Sequence, residues 1–207
     1  MARMKRNIGE LVSGKIGNVV FYQLNDKSYV RAAPVRKKEL WTDEQQLYRQ
    51  RISKASGYWR ALRSEQMSTI WNSAAEQMNV YAWFMKQNMP ALEMDGTLID
   101  AKLLKVSAGK LTIPQNLNAE RQPDNAATIA VSWQNDPHLR GERLNDELIV
   151  VSSADGNFSQ VTATGIVRGA KNGSFTLPQL HTSATHIYMF MASRDRKEYS
   201  ESLCFEV

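Results

Sequence analysis

The sequence predicts an α+β protein on three observations. A β-branched and aromatic run near the N-terminus is broken by turn residues. Residues 41–90 repeat apolar positions at spacings of three and four. Residues 111–207 fall into short apolar runs punctuated by turn signals. The 207 residues, 43% hydrophobic and 23% charged, suffice for one large domain or two small ones. That composition excludes a disordered, collagen-like or disulfide-stapled chain.

Four stretches follow: a basic arm and β-hairpin (1–40), a helical region (41–90), a connector (91–110) and a seven-stranded antiparallel β-sandwich (111–207). In the first, residues 17–33 read as the hairpin. Val19, Val20, Phe21 and Tyr22 lie in one strand, residues 24–27 supply the turn, and residues 28–33 return. Pro34 ends it, because proline cannot donate to a ladder. A lone two-stranded hairpin is marginal in water. It needs the helices, the second domain or another subunit to pack on.

Two to three helices come next. Thr42-Asp43-Glu44-Gln45 is a capping box, with a hydroxyl at the N-cap and Gln at N3. Tyr48, Ile52, Ala55, Trp59 and Leu62 then share one face. A second helix starts at Ser64-Glu65-Gln66 and turns Met67, Ile70, Trp71, Ala74 and Met78 inward. A third, Val80–Asn88, carries Tyr81, Phe84 and Met85 and stops before Pro90. These stripes read as helix-packing core. The connector holds an Asp95-Gly96 turn and a short strand at 103–107.

Beyond it, strands are expected at 111–120, 128–134, 147–153, 160–168, 174–177, 186–193 and 200–207. Turns fall at Asn135-Asp136-Pro137, Ala154-Asp155-Gly156-Asn157 and Lys171-Asn172-Gly173. Val131-Ser132-Trp133 places a Trp in the second strand. With Leu177-Pro178-Gln179-Leu180, then Thr185 and Tyr188, at the entry to the sixth, this half resembles immunoglobulin-like and fibronectin type III sandwiches. One strand stands apart. Ile187-Tyr188-Met189-Phe190-Met191-Ala192 is apolar on both alternating faces, whereas a sandwich strand normally shows one face to water. Its second face must be covered by the chain's own helices or by a neighbouring subunit.

The chemistry expected is sparse. Cys204 is the only cysteine, so neither an intrachain disulfide nor a Cys-based zinc site forms, and folding in a reducing cytoplasm fits. The basic first residues resemble a signal n-region, but Asn7, Gly9 and Glu10 interrupt any apolar core behind them. No stretch reads as a membrane span. Residues 9–16 approach a P-loop, G-x-x-x-x-G-K-[ST], yet end on Ile16, which has no hydroxyl for Mg²⁺. His138, His181 and His186 show no ligand spacing, and no nucleophile elbow exists. The expectation is no enzyme, no cofactor and no metal.

The strongest chemical signal is charge. Residues 1–63 hold 14 Lys/Arg against 5 Asp/Glu, a net of +9; residues 64–207 hold 12 against 16, a net of −4. Such asymmetry points to a basic end that meets an acidic partner. Candidate assembly or phosphate contacts are Arg3, Lys5, Arg6, Lys15, Arg31, Arg36, Lys37 and Lys38, with Lys27 close to the hairpin. Candidate subunit-packing residues are Val19, Phe21, Tyr22, Tyr29, Tyr188 and Phe190, of which Tyr22 and Tyr29 could also stack on bases.

Several motifs together carry a resemblance. They are residues 13–20 (SGKIGNVV), Tyr29-Val30-Arg31 with Pro34, Thr42 with Gln45, Trp71, and Asn79, Tyr81, Phe84 and Asn88. Their order resembles a domain-of-unknown-function family from Bacteroides-group bacteria and their phages, whose members open on an SGK-x-GNVV-like hairpin and close on an immunoglobulin-like half. Phe21-Tyr22-Gln23-Leu24 departs from the small residues and Trp-Lys-Gly frequent there. The resemblance implies a structural component of a phage or phage-like particle, such as a neck or tail ring. It would be a homo-oligomer beside other particle proteins, with nonspecific DNA contact and no membrane. The virion, after synthesis in the bacterial cytoplasm, is the expected location. The alternatives are a nucleic-acid-associated accessory protein of the cytoplasm and a surface- or carbohydrate-binding adhesin module.

Overall fold

The N-terminal hairpin forms the centre of a four-stranded antiparallel sheet. The computed structural model describes residues 2–3 (backbone only), 13–24, 27–35, 41–75, 78–139, 141–154 and 156–207. The chain divides into two compact units, Met1–Trp41 and Thr42–Val207. In the first, β1 (Ala2–Arg3), β2 (Gly14–Ile16), β3 (Val19–Leu24) and β4 (Lys27–Ala32) are ordered β1-β4-β3-β2. The expected hairpin is the β3–β4 pair, running from Val19 opposite Ala32 to Leu24 opposite Lys27. Residues 25–26 of its turn lie outside the described residues. A second tight turn, Gly17-Asn18, joins β2 to β3. Gly17 has φ +58°, and a two-residue turn with Gly at its first central position matches the twist of the strands it joins.

The second unit starts with α1 (Asp43–Leu62). Its capping box forms as expected: the Gln45 amide donates to Thr42 Oγ1 at 3.3 Å, and the Thr42 amide donates to Gln45 Oε1 at 3.2 Å. Ala55, Trp59 and Leu62 are buried. Tyr48 and Ile52, expected on the same inward face, are 50% and 37% exposed. Periodicity assigns residues to a face, but how far that face is covered depends on what packs there. The cover from α3 and the residues after it begins around Arg51, whose Nη2 donates to the Met89 carbonyl at 2.7 Å.

Helices α2 (Glu65–Ala74) and α3 (Val80–Asn88) are capped by Ser64 and Asn79. Met67, Ile70, Trp71 and Phe84 are buried; Met78 and Tyr81, expected inward, are exposed. Trp71 and Phe84 meet edge to face at 5.1 Å.

The strand expected at 103–107 is absent: Leu103 closes a 3-10 turn and is exposed, and residues 104–107 are irregular backbone with Leu104, Val106 and Ser107 buried. Side chains replace the ladder. Trp71 Nε1 donates to the Val106 carbonyl (2.9 Å), the Val106 amide donates to Ser202 Oγ (2.9 Å), and Asn88 exchanges two bonds with the Lys105 backbone. Buried peptide groups need partners, and here side chains supply them. The Asp95-Gly96 turn is present, with Gly96 at φ +86°.

Eight strands follow where seven are expected. They are β5 (Gln115–Gln122), β6 (Asn125–Gln134), β7 (Glu147–Ala154), β8 (Asn157–Phe158), β9 (Thr162–Val167), β10 (Asn172–Thr176), β11 (His186–Ala192) and β12 (Leu203–Glu206). One sheet has the order β10-β6-β5; the other runs β12-β11-β7-β8, with β9 also paired to β7. Asn172 and Gly173, expected in a turn, belong to β10; Lys171 alone takes the left-handed conformation before it, at φ +66°.

The two sheets share one core cluster. Ile129, Val131, Trp133 and Phe175 of the smaller sheet join Leu148, Val150, Ile187, Met189 and Met191 of the larger. Trp133, the Trp expected in the second strand, donates from Nε1 to the Arg168 carbonyl at 3.0 Å. The other face of the larger sheet, Ile149, Val151, Tyr188, Phe190 and Ala192, forms a second cluster with Trp59, Leu62, Met67, Ile70, Trp71 and Phe84 of the helices. Strand β11 therefore lies in the middle of three layers, which explains its two apolar faces. Its cover comes from the chain's own helices. With Tyr188 2% and Phe190 0% exposed, neither remains a subunit-packing residue.

Candidate functional site on the N-terminal sheet

Strand register sorts the N-terminal side chains onto two faces of different chemistry. Successive residues alternate, and residues directly opposite each other share a face. Ile16 pairs with Val19 and Val19 with Ala32; Phe21 pairs with Val30. That face is apolar up to its far end, where Gln23 pairs with Ser28. On the other, Lys15 pairs with Val20 and Val20 with Arg31, Tyr22 with Tyr29, and Leu24 with Lys27. This face is cationic and aromatic. The sequence groups Val19, Phe21, Tyr22 and Tyr29 together; the register places the first two on the apolar face and the last two on the cationic one.

None of the described residues of this unit is buried. Val19, Val20, Phe21, Tyr22, Tyr29 and Val30 are half-buried, and Ile16 is 64% exposed.

On the cationic face the rings of Tyr22 and Tyr29 stack with centroids 5.5 Å apart and planes 18° from parallel. The Arg31 guanidinium carbon lies 5.7 Å from the Tyr22 centroid, within cation–π range. Lys15, Lys27 and Arg31 are exposed, and among the described residues none of them pairs with a carboxylate. Arg3 pairs with Tyr29 through β1, which puts its position on the same face. Lys27, which the sequence places close to the hairpin, shares one face of β4 with Tyr29 and Arg31.

Lys5, Arg6, Arg36, Lys37 and Lys38 lie outside the described residues, as do residues 9–12 of the P-loop-like stretch. Gly14, Lys15 and Ile16 of that stretch form β2, laddered to β3, so they do not wrap a phosphate. The unit as a whole carries 9 Lys/Arg against 3 Asp/Glu, a net of +6; the second carries 17 against 18, a net of −1.

In the second unit, the chief polar feature is one end of the larger sheet. A cleft of about 690 Å³ is lined by Arg143, Asp146, Asp195 and Glu198 among others. Arg143 is bonded to Glu198, and Arg196 to Glu147. Beneath the cleft, Asp146 and Arg168 form a buried pair at 3.8 Å. Burial holds the Asp146 carboxyl above its ordinary range, outweighing the attraction of Arg143 and Arg168; burial also lowers the Arg168 guanidinium. Sequence reasoning missed this pair, because a single Arg in a strand-rich segment reads as surface.

Among the described residues, no three His, Cys, Asp or Glu side chains are grouped to hold a metal ion. The three histidines lie apart: His138 sits in the turn after Asp136, His181 in a 3-10 turn, and His186 opens β11 with Nδ1 2.9 Å from Thr185 Oγ1. No described helix is long and apolar enough to cross a membrane. No family model matches the chain, and no curated protein matches it.

Proposed function

We propose that the protein is a non-enzymatic assembly subunit of a phage or phage-like particle, repeated in a ring such as that of a neck or tail. It would reside in the virion beside other particle proteins. The observation that carries this reading is the apolar face of the N-terminal sheet: Ile16, Val19, Phe21, Val30 and Ala32, in a unit with no buried residue among those described. A sheet with such a face needs a surface to pack on. The second unit offers a counterpart in the exposed half of the α1 stripe, Tyr48 and Ile52, next to exposed Tyr81.

In this reading the sheet of one copy covers the α1 stripe of the next. The interface is head-to-tail, and a head-to-tail interface that closes makes a ring. The body is an immunoglobulin-like sandwich braced by helices, and it supplies shape rather than chemistry. The SGK-x-GNVV resemblance to the Bacteroides-group and phage family points the same way.

The test is the mass of the purified chain by light scattering at low and high salt. A discrete multimer that survives high salt is expected. Phe21→Ser and Ile52→Glu, one on each proposed contact, should each return it to the 23.5 kDa monomer with the circular dichroism of the body intact. A wild-type monomer at all concentrations, or an unchanged multimer in both variants, would overturn the reading.

A further inference from the structure

We infer that the cationic face of the N-terminal sheet is a binding surface for single-stranded nucleic acid, distinct from the apolar face assigned above to assembly. Three observations on that face combine. Lys15 of β2 and Lys27 and Arg31 of β4 are exposed and pair with no carboxylate among the described residues. The near-parallel Tyr22 and Tyr29 rings lie among them, in the middle strands of the sheet. The unit's charge of +6 contrasts with −1 for the rest of the chain, so the unit as a whole attracts a polyanion.

The Tyr pair chooses among polyanions. Cations alone attract any phosphate or carboxylate chain. Aromatic rings among cations suit a ligand whose charges alternate with flat π-surfaces, as phosphates and unpaired bases do. Tyr29, backed by Tyr22, is the platform, and Arg31 joins the cluster through its approach to the Tyr22 ring. In a duplex the bases are already stacked on each other and do not reach the rings. An acidic protein would use the cations and leave the rings idle. Stacking on a ring accepts any base, so binding should be tolerant of sequence.

The test uses the full chain and a fluorescein-labelled (dT)20 oligonucleotide, followed by anisotropy between 50 and 200 mM salt. Binding is expected to weaken with salt. Lys27→Gln with Arg31→Gln should reduce the slope of log affinity against log salt by about 1.4, at about 0.7 per phosphate contact on a single strand. Tyr29→Leu should weaken binding at least about fivefold with the slope unchanged, and Tyr29→Phe should retain wild-type binding. Should Tyr29→Leu fail to fold, photocrosslinking of the wild-type chain to 5-iododeoxyuridine-substituted (dT)20 decides, with crosslinks expected at Tyr22 or Tyr29. Three results would overturn the inference: no binding of (dT)20, crosslinks confined to other segments, or equal competition by polyglutamate with no effect of Tyr29→Leu. The last would assign the face to an acidic protein.

Discussion

Arg168→Met should cost about 3–5 kcal/mol, the range for removing one partner of a buried ion pair. The Arg168 and Asp146 side chains are each 2% exposed and 3.8 Å apart. The Arg168 backbone bonds would survive: its amide to the Asp146 carbonyl, and its carbonyl accepting from Trp133 and Asn135. What is lost is the cation, together with its bonds to the Thr112 carbonyl (2.8 Å) and Oγ1 (3.2 Å). Among the described residues Asp146 would then keep only Arg143, 3.9 Å away and 42% exposed in its side chain.

The penalty should depend on pH with a definite sign. The Asp146 carboxyl already sits above its ordinary value, and losing Arg168 raises it further. Between the ordinary and raised values the folded state binds more protons than the unfolded state. Stability therefore falls as pH rises through that window. The deficit of the variant should be largest near neutrality and shrink towards about pH 4. Urea unfolding followed by Trp fluorescence at neutral and at acidic pH measures it. Adding Asp146→Asn to the Arg168→Met variant should recover much of the loss. A deficit below about 1 kcal/mol, or a double variant no better than the single, would refute the reasoning that an uncompensated buried carboxylate sets the cost.

Gly109→Ala should destabilise by about 1–3 kcal/mol or more, because a Cβ there would sit 2.0 Å from the Tyr199 carbonyl oxygen, a rigid backbone atom; an unchanged Tm would contradict this. Gly57→Ala, in α1 with open space around it, should instead stabilise by about 0.5–1 kcal/mol, visible as a higher urea midpoint. Burial pushes the Cys204 thiol up to about 11, so at mildly alkaline pH the native chain should react with a disulfide reagent on the order of a hundredfold more slowly than the unfolded chain; equal rates would show an accessible thiol. Trp71→Phe should cost about 1–3 kcal/mol through the Val106 carbonyl left without its donor, and a loss within error in urea unfolding would mean that group finds another partner.

Much of the architecture was legible because local chemistry and global packing agree. Thr42 and Gln45 mark the start of α1, and the alternation through Val19 and Tyr22 marks the hairpin. The double apolar face of β11 required cover on both sides before any cover was known. The misses share a cause. Residues 103–107 look like a strand, yet Trp71, Asn88 and Ser202 take the bonds a ladder would have made. The candidate site was legible as composition but not as geometry, since Phe21 and Tyr22 are neighbours in the chain that point opposite ways.

Element types, helix caps, the uneven charge and the demand of residues 187–192 for cover are all written in the chain itself, because propensity, capping and periodicity act over a few residues. Which surfaces meet is a property of the folded molecule. Folding supplied the helices over Tyr188 and Phe190, left Tyr48 and Ile52 open, buried Arg168 against Asp146, and separated Val19 and Phe21 from the Lys15, Tyr29 and Arg31 face. Burial and register depend on residues distant in the chain, and a local pattern states what a face needs without naming what fills it.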